Sequence, residues 1–232
     1  MGNNIVDFNN DGNNEIIVLD MMPDDNYRRK TMLTENNYNT YINNERYKYD
    51  FQYVRNTLQL NQGFMDGNPV YSEVSMFSGV SGTDWSWAPI VGDYNNDGFN
   101  DLIITNGFPK DITDRDFIDY QTEMNRFAKK KTLLATIPEV KLKNYAFKNI
   151  SSLNGVVLFE DVTNEWGIEE PSFSNGAAHG DLDNDGDLDY VVNNINGYAH
   201  VYMNQTSSLL NNNWVNIKLI GSINNPDAIG ST

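Results

Sequence analysis

The chain has 232 residues, enough for one large domain or two small ones. Its 32 Asp and Glu outnumber 16 Lys and Arg, and the net charge of −16 excludes a nucleic-acid backbone as main partner, because phosphate binding needs clustered cations. The 39% hydrophobic and 12% aromatic residues suffice for a packed core, and the absence of cysteine excludes a disulfide framework, a thiolate metal site and a cysteine nucleophile.

Met1 to Asp7 lacks the basic and apolar regions of a signal peptide, so an export signal has been removed or never belonged to this piece. No apolar run approaches the roughly 20 residues needed to cross a bilayer, so no membrane span is expected. Asn occurs 36 times, which favours turns and predicts many loops between short strands.

One nine-residue pattern occurs three times, as Asp7-Phe8-Asn9-Asn10-Asp11-Gly12-Asn13-Asn14-Glu15, Asp93-Tyr94-Asn95-Asn96-Asp97-Gly98-Phe99-Asn100-Asp101 and Asp181-Leu182-Asp183-Asn184-Asp185-Gly186-Asp187-Leu188-Asp189. The starts lie 86 and 88 residues apart. A short apolar run follows each copy: Ile16 to Leu19, Leu102 to Thr105, and Tyr190 to Val192. Another precedes the second and third, at Ala88 to Gly92 and Gly176 to Gly180. The predicted unit is strand, acidic loop, strand.

Upstream of the second and third copies the similarity continues. Asn56 to Asn61 parallels Tyr145 to Asn149, and Tyr71 to Val74 parallels Phe159 to Val162. Two full units are visible by this phasing, with part of another in front. Repeat arrays need about three stacked units to bury a core, so the chain reads as a section of a longer one.

Two insertions interrupt the pattern, at about 24–53 and 111–143. The first is polar, rich in Tyr and without an assignable period. The second predicts one helix from Thr113 to about Leu134, because Phe117, Tyr120, Met124 and Phe127 fall at helical spacing. Thr113 and Asp116 resemble a capping box, Lys129 to Lys131 suit the helix C-terminus, and Pro138 marks the stop.

The loops have the chemistry of calcium sites. Calcium takes six to eight oxygen ligands, and positions 1, 3, 5 and 9 of each loop are Asp, Asn or Glu. The candidate ligands are Asp7, Asn9, Asp11 and Glu15; Asp93, Asn95, Asp97 and Asp101; and Asp181, Asp183, Asp185, Asp187 and Asp189. Gly at position 6 permits the sharp turn. An EF-hand would need a bidentate Glu at position 12, where Val18, Ile104 and Val192 stand instead. The plain alternative is an Asp/Asn/Gly turn without metal. Eleven of the 32 acidic residues crowd into these loops, which would repel one another without a cation.

Asp-x-Asp/Asn-x-Asp-Gly between two strands resembles the FG-GAP/VCBS repeat of integrin-like β-propellers. Asn56 to Asn61, Thr83-Asp84-Trp85-Ser86-Trp87-Ala88, Asn106-Gly107-Phe108 and Ser174 to Ala178 are similar to bacterial secreted VCBS-repeat proteins that end in an ASPIC/UnbV domain. Trp214 to Gly221 and Asn225 to Gly230 resemble the start of that domain. The resemblance implies an all-β fold of propeller blades with a helical insertion. It makes 1–207 a partial propeller with three calcium loops and 208–232 the opening of the ASPIC/UnbV-like segment, the remaining blades belonging to the parent chain. It also implies export to the cell surface, periplasm or beyond.

Only two histidines occur, and His179 is expected as a packed strand residue. Trp85 and Trp87 alternate around Ser86 and are expected in the core. No serine sits in a recognisable nucleophile elbow. The sequons Asn149-Ile150-Ser151 and Asn204-Gln205-Thr206 are what chance produces in an Asn-rich chain. The expected function is a non-catalytic, calcium-binding module that holds a protein or glycan at the bacterial surface. The competing reading is part of a calcium-dependent polysaccharide lyase.

Overall fold

A computed structural model describes residues 1–32, 38–124, 126–153, 155–210, 212–215 and 217–230. The chain is mostly β and forms three antiparallel sheets, each a meander of successive strands. The first sheet contains β1 (Asn3–Val6), β2 (Glu15–Val18), β3 (Thr57–Met65) and β4 (Asn68–Glu73). The second contains β5 (Ser86–Gly92), β6 (Asp101–Asn106), β7 (Tyr145–Asn149) and β8 (Phe159–Asp161). The third contains β9 (Ser174–Gly180), β10 (Asp189–Asn194) and β11 (His200–Tyr202).

The pairing changes the phase of the repeat. Ile16 lies opposite Gln59, so Asn56 to Asn61 and Tyr71 to Val74 belong with the first acidic loop, not upstream of the second. The first loop also has its leading strand. Asn3 to Val6 pairs with Glu15 to Val18, although its alternating exposure and two asparagines hide it from an apolar-run search. All three loops therefore turn antiparallel hairpins, and two sheets have the full four strands.

Sheets one and two pack face to face through Phe8, Ile17, Leu58, Leu60, Leu102, Ile104, Phe147 and Phe159. Sheets two and three meet through Tyr94, Ile103, Ala146, Val162, Tyr190 and Val192. β6 sits between both seams: Leu102 and Ile104 point one way and Ile103 the other. This is why Leu102, Ile103 and Ile104 are apolar in succession, in a strand with every residue buried.

The insertions leave their sheets between the second and third strands. The first holds two short helices, α1 (Asn26–Thr31) and α2 (Tyr38–Tyr47). In the second, the expected single helix is two: α3 (Arg115–Met124) and α4 (Lys130–Ala135). Phe117 and Leu133 are buried but Phe127 is 83% exposed, so the apolar stripe does not run through. Asp114, not Thr113, caps α3, by accepting from the Phe117 N–H at 2.8 Å. Lys129 is the N-cap of α4, so the lysines stand at the positive end of a helix dipole rather than the negative one. A final short helix, α5 (Thr206–Leu209), follows the third sheet. Among the described residues, no helix is long and apolar enough to cross a membrane.

Candidate metal centre

The three acidic loops close in the same way. The position-1 carboxylate accepts from the N–H groups of positions 5 and 6. Asp7 accepts from Asp11 and Gly12 at 3.2 and 2.8 Å, Asp93 from Asp97 and Gly98 at 3.0 and 2.8 Å, and Asp181 from Asp185 and Gly186 at 3.1 Å each. The position-5 carboxylate accepts from position 7, at 2.7 Å from Asn13, 3.0 Å from Phe99 and 3.0 Å from Asp187. These bonds require a left-handed backbone twice per loop. Gly12, Gly98 and Gly186 supply one, with φ of 84°, 90° and 91°. Asn10, Asn96 and Asn184 supply the other, with φ of 56°, 55° and 64°. Asn tolerates that region better than most side chains, and its recurrence at position 4 was a legible signal that the ligand pattern passed over.

Position 9 has a different task. Glu15, Asp101 and Asp189 are completely buried. Each accepts from the position-2 N–H of its own loop: Phe8 at 2.8 Å, Tyr94 at 3.0 Å and Leu182 at 2.8 Å. Each also accepts from the backbone of an asparagine of the third strand or just beyond it: Asn61 within β3 at 3.4 Å, Asn149 at the end of β7 at 2.8 Å and Asn204 two residues past β11 at 2.8 Å. Burial pushes the Asp101 carboxyl up to about 7; repulsion from Asp97 and Asp93 adds to it, and the two N–H groups oppose it. Burial likewise raises Glu15 and Asp93. Carboxylates in such places are costly when charged, and a nearby cation relieves that cost. Among the described residues, no ion pair engages a loop carboxylate.

The third loop gathers its acids most closely. Oxygens of Asp181, Asp183 and Asp189 lie within 4.8 Å of one another. An all-oxygen, carboxylate-rich set fits a hard cation such as calcium or magnesium and not a thiophilic metal. Asp185 and Asp187 stand outside this group. Asp187 is buried and accepts from the Asn96 amide at 2.8 Å and the Ser207 N–H at 2.6 Å. Asp185 directs one oxygen to the Asp187 N–H and the other toward the Ser207 hydroxyl at 3.4 Å.

In the first two loops the amide at position 3 changes the balance. Asn9 donates to the Asp11 carboxylate at 3.3 Å, and Asn95 donates to Asp97 at 2.9 Å. Asp183 has no N–H to give and meets Asp185 as a like charge. Loops one and two thus satisfy their position-5 acid from position 3, and loop three lacks that bond.

The loops are also tied to one another, which the sequence did not reveal. Asn10 donates to the Gly98 carbonyl at 2.9 Å, and Asn100 to that of Asp7 at 3.1 Å. The buried Asn149 amide bridges Phe8 and Asn100 carbonyls, and Asn204 bridges those of Tyr94 and Leu188. Both sequon asparagines are therefore committed to the fold. Away from the loops, Trp85 is buried as expected and stacks on Phe108, with ring centroids 4.9 Å apart, while Trp87 is only half-buried and donates its indole N–H to the Gly107 carbonyl. His179 departs from expectation: it is exposed, with Nδ1 3.0 Å from the Tyr94 hydroxyl and its ring above Gly92, where a Cβ would intrude. No protein-family model matches the sequence, and no curated protein matches it either.

Proposed function

We propose that the chain is a calcium-stabilised section of an FG-GAP/VCBS-type β-propeller, exposed on or beyond the bacterial cell surface, that binds a protein or glycan without catalysing a reaction. The observation that carries this reading is the threefold recurrence of one loop geometry. The same left-handed pair, the same position-1 clamp and the same buried position-9 acid appear at the same place in three sheets. Unrelated Asp/Asn turns have no reason to agree in all three respects.

The blade reading is supported by the stacking of meander sheets whose first strands lie closest, Gly2 against Trp87 to Pro89 and Gly92 against His179. The outer face of the first sheet carries Ile5 at 61% and Val18 at 40% exposure, a surface that a further blade would cover. The calcium would be held by Asp181, Asp183 and Asp189 in the third loop, and by the corresponding residues of the other two. A bound divalent ion supplies positive charge that neutralises the acids and fixes the turn between two strands. Asp189, held by Leu182 and Asn204, then ties the loop to the third strand of its sheet.

Titration calorimetry with calcium and magnesium on chelator-treated protein tests the reading. Calcium binding that weakens in Asp181→Ala is expected, with magnesium weaker because it demands a tighter shell. No calcium heat at millimolar concentration would remove the basis of the proposal.

A further inference from the structure

Among the described residues, the third sheet has three strands where the others have four. In the first two, the fourth strand sets an aromatic residue opposite the asparagine of the third: Tyr71 opposite Asn61, and Phe159 opposite Asn149. The aromatic lies ten residues after the asparagine in both. Ten residues after Asn204 stands Trp214.

Phe159 closes the seam between sheets one and two. Its ring lies 5.2 Å from Phe8, edge to face, and 6.5 Å from Phe147. By the repeat, Tyr94 and Tyr202 take those places between sheets two and three. A cavity of about 370 Å³ opens between them, walled also by Ile103, Trp166, Tyr190 and Leu210. About 150 Å³ of apolar cavity is enough for a benzene ring, so an indole has room. Tyr190 is 3% exposed, and its hydroxyl has no hydrogen-bond partner among the described residues. The equivalent residue in the earlier seam is Leu102, which needs none. An orphaned hydroxyl facing an aromatic cavity calls for a ring that also carries a donor.

We propose that this cavity is a binding site for an aromatic side chain bearing an N–H donor, and that its occupant is Trp214 of the same chain. Trp214 and Val215 then extend the third sheet along β11, with Asn204 opposite Trp214 and Met203 opposite Val215, and the indole N–H donates to the Tyr190 hydroxyl. In the present structure Trp214 is 46% exposed and lies across Gly186 of the third acidic loop, so the docked state is a second placement of the segment. The substitutions agree as a pair: Leu102 with Phe159 in one seam, Tyr190 with Trp214 in the other.

Cross-linking in this cysteine-free chain is the test. Met203→Cys with Val215→Cys, treated with a short bis-thiol reagent, should join at least about tenfold faster than Met203→Cys with Ile220→Cys, because a fixed register raises effective concentration. Equal rates would overturn the proposal. Independently, the indole emission lost in Trp214→Phe should be blue-shifted and protected from acrylamide, and Tyr190→Phe should reduce that protection. If Trp214 is quenched as freely as an exposed indole in the unaltered protein, the cavity has another occupant and the proposal fails.

Discussion

The side-chain amide of Asn149 donates to the backbone carbonyl of Phe8 at 2.8 Å, joining residues 141 positions apart. The same amide reaches Asn100 at 2.9 Å, while the Asn149 N–H holds the buried carboxylate of Asp101. One side chain thus links the first acidic loop, the second acidic loop and the third strand of the second sheet.

Asn149→Ala should be strongly destabilising. It leaves the Phe8 and Asn100 carbonyls without this donor at a buried position, at about 1–3 kcal/mol for each group orphaned. Asn61→Ala is the matched comparison: both side-chain oxygens accept from the N–H two residues on, Gly63 and Ser151, but the Asn61 amide donates to the Asn14 carbonyl alone, at 3.2 Å in a solvent-exposed setting. Its cost should be below about 1 kcal/mol, the net worth of an ordinary hydrogen bond. Urea denaturation of both variants checks the difference, and equal losses would show that the bridge between loops carries no special weight.

What the sequence revealed and what it hid divide along range. Gly12, Gly98 and Gly186 were legible because a left-handed turn is decided within a few residues. The burial of Asp101 was not, because its partner Asn149 lies 48 residues away and nothing local marks the pair. β1 escaped notice because an exposed strand beginning with two asparagines carries half the usual apolar signal. The phase of the repeat is hidden for a related reason: sequence similarity identifies equivalent strands, but only pairing tells which sheet each joins. The division of the second insertion into α3 and α4 follows from the exposure of Phe127, a property of tertiary packing rather than of spacing.

Arg28 supplies a second long-range tie. From α1 it grips Asp84 through Nε and Nη2 at 3.0 and 2.9 Å and Asp111 through Nη1 at 2.6 Å, so the first insertion is fastened to both flanks of the β5–β6 hairpin. Both carboxylates are buried, and Arg28→Ala would leave them uncompensated, at about 3–5 kcal/mol. The loss should fade in acid. Burial alone would raise the Asp111 carboxyl, but hydrogen bonds from Thr113 and Arg28 outweigh it and hold the group below its ordinary value. Stability from such a group is present above the unfolded pKa of about 4 and disappears as pH falls through the lower folded value. Denaturation midpoints of wild type and Arg28→Ala should therefore converge below pH 4, and a constant gap down to pH 2 would contradict the ionic account.

The contrast between amide and acid at position 3 yields a prediction with opposite signs in two conditions. In the second loop, Asn95→Asp removes the donor to Asp97 and adds a like charge. The variant should melt lower than wild type in chelator and gain more from calcium.

In the third loop the change runs the other way. Asp183→Asn would place at position 3 the amide that Asn9 and Asn95 already provide, free to donate to Asp185 as they donate to Asp11 and Asp97. Without metal, the variant should melt above wild type, because a repulsive pair becomes a hydrogen-bonded one. With calcium it should melt below, because one of the three carboxylates gathered within 4.8 Å has lost its charge. The scale follows from linkage: at about 1 mM calcium, a site with Kd of about 10⁻⁴ M stabilises the fold by about 1.4 kcal/mol, and weakening Kd tenfold leaves about 0.4. Thermal melts of wild type and Asp183→Asn, each with calcium and with chelator, give four midpoints whose order is fixed by this argument. If Asp183→Asn raises the melting temperature equally in both conditions, the third loop is an acidic turn that wants neutralising, and no cation is bound there.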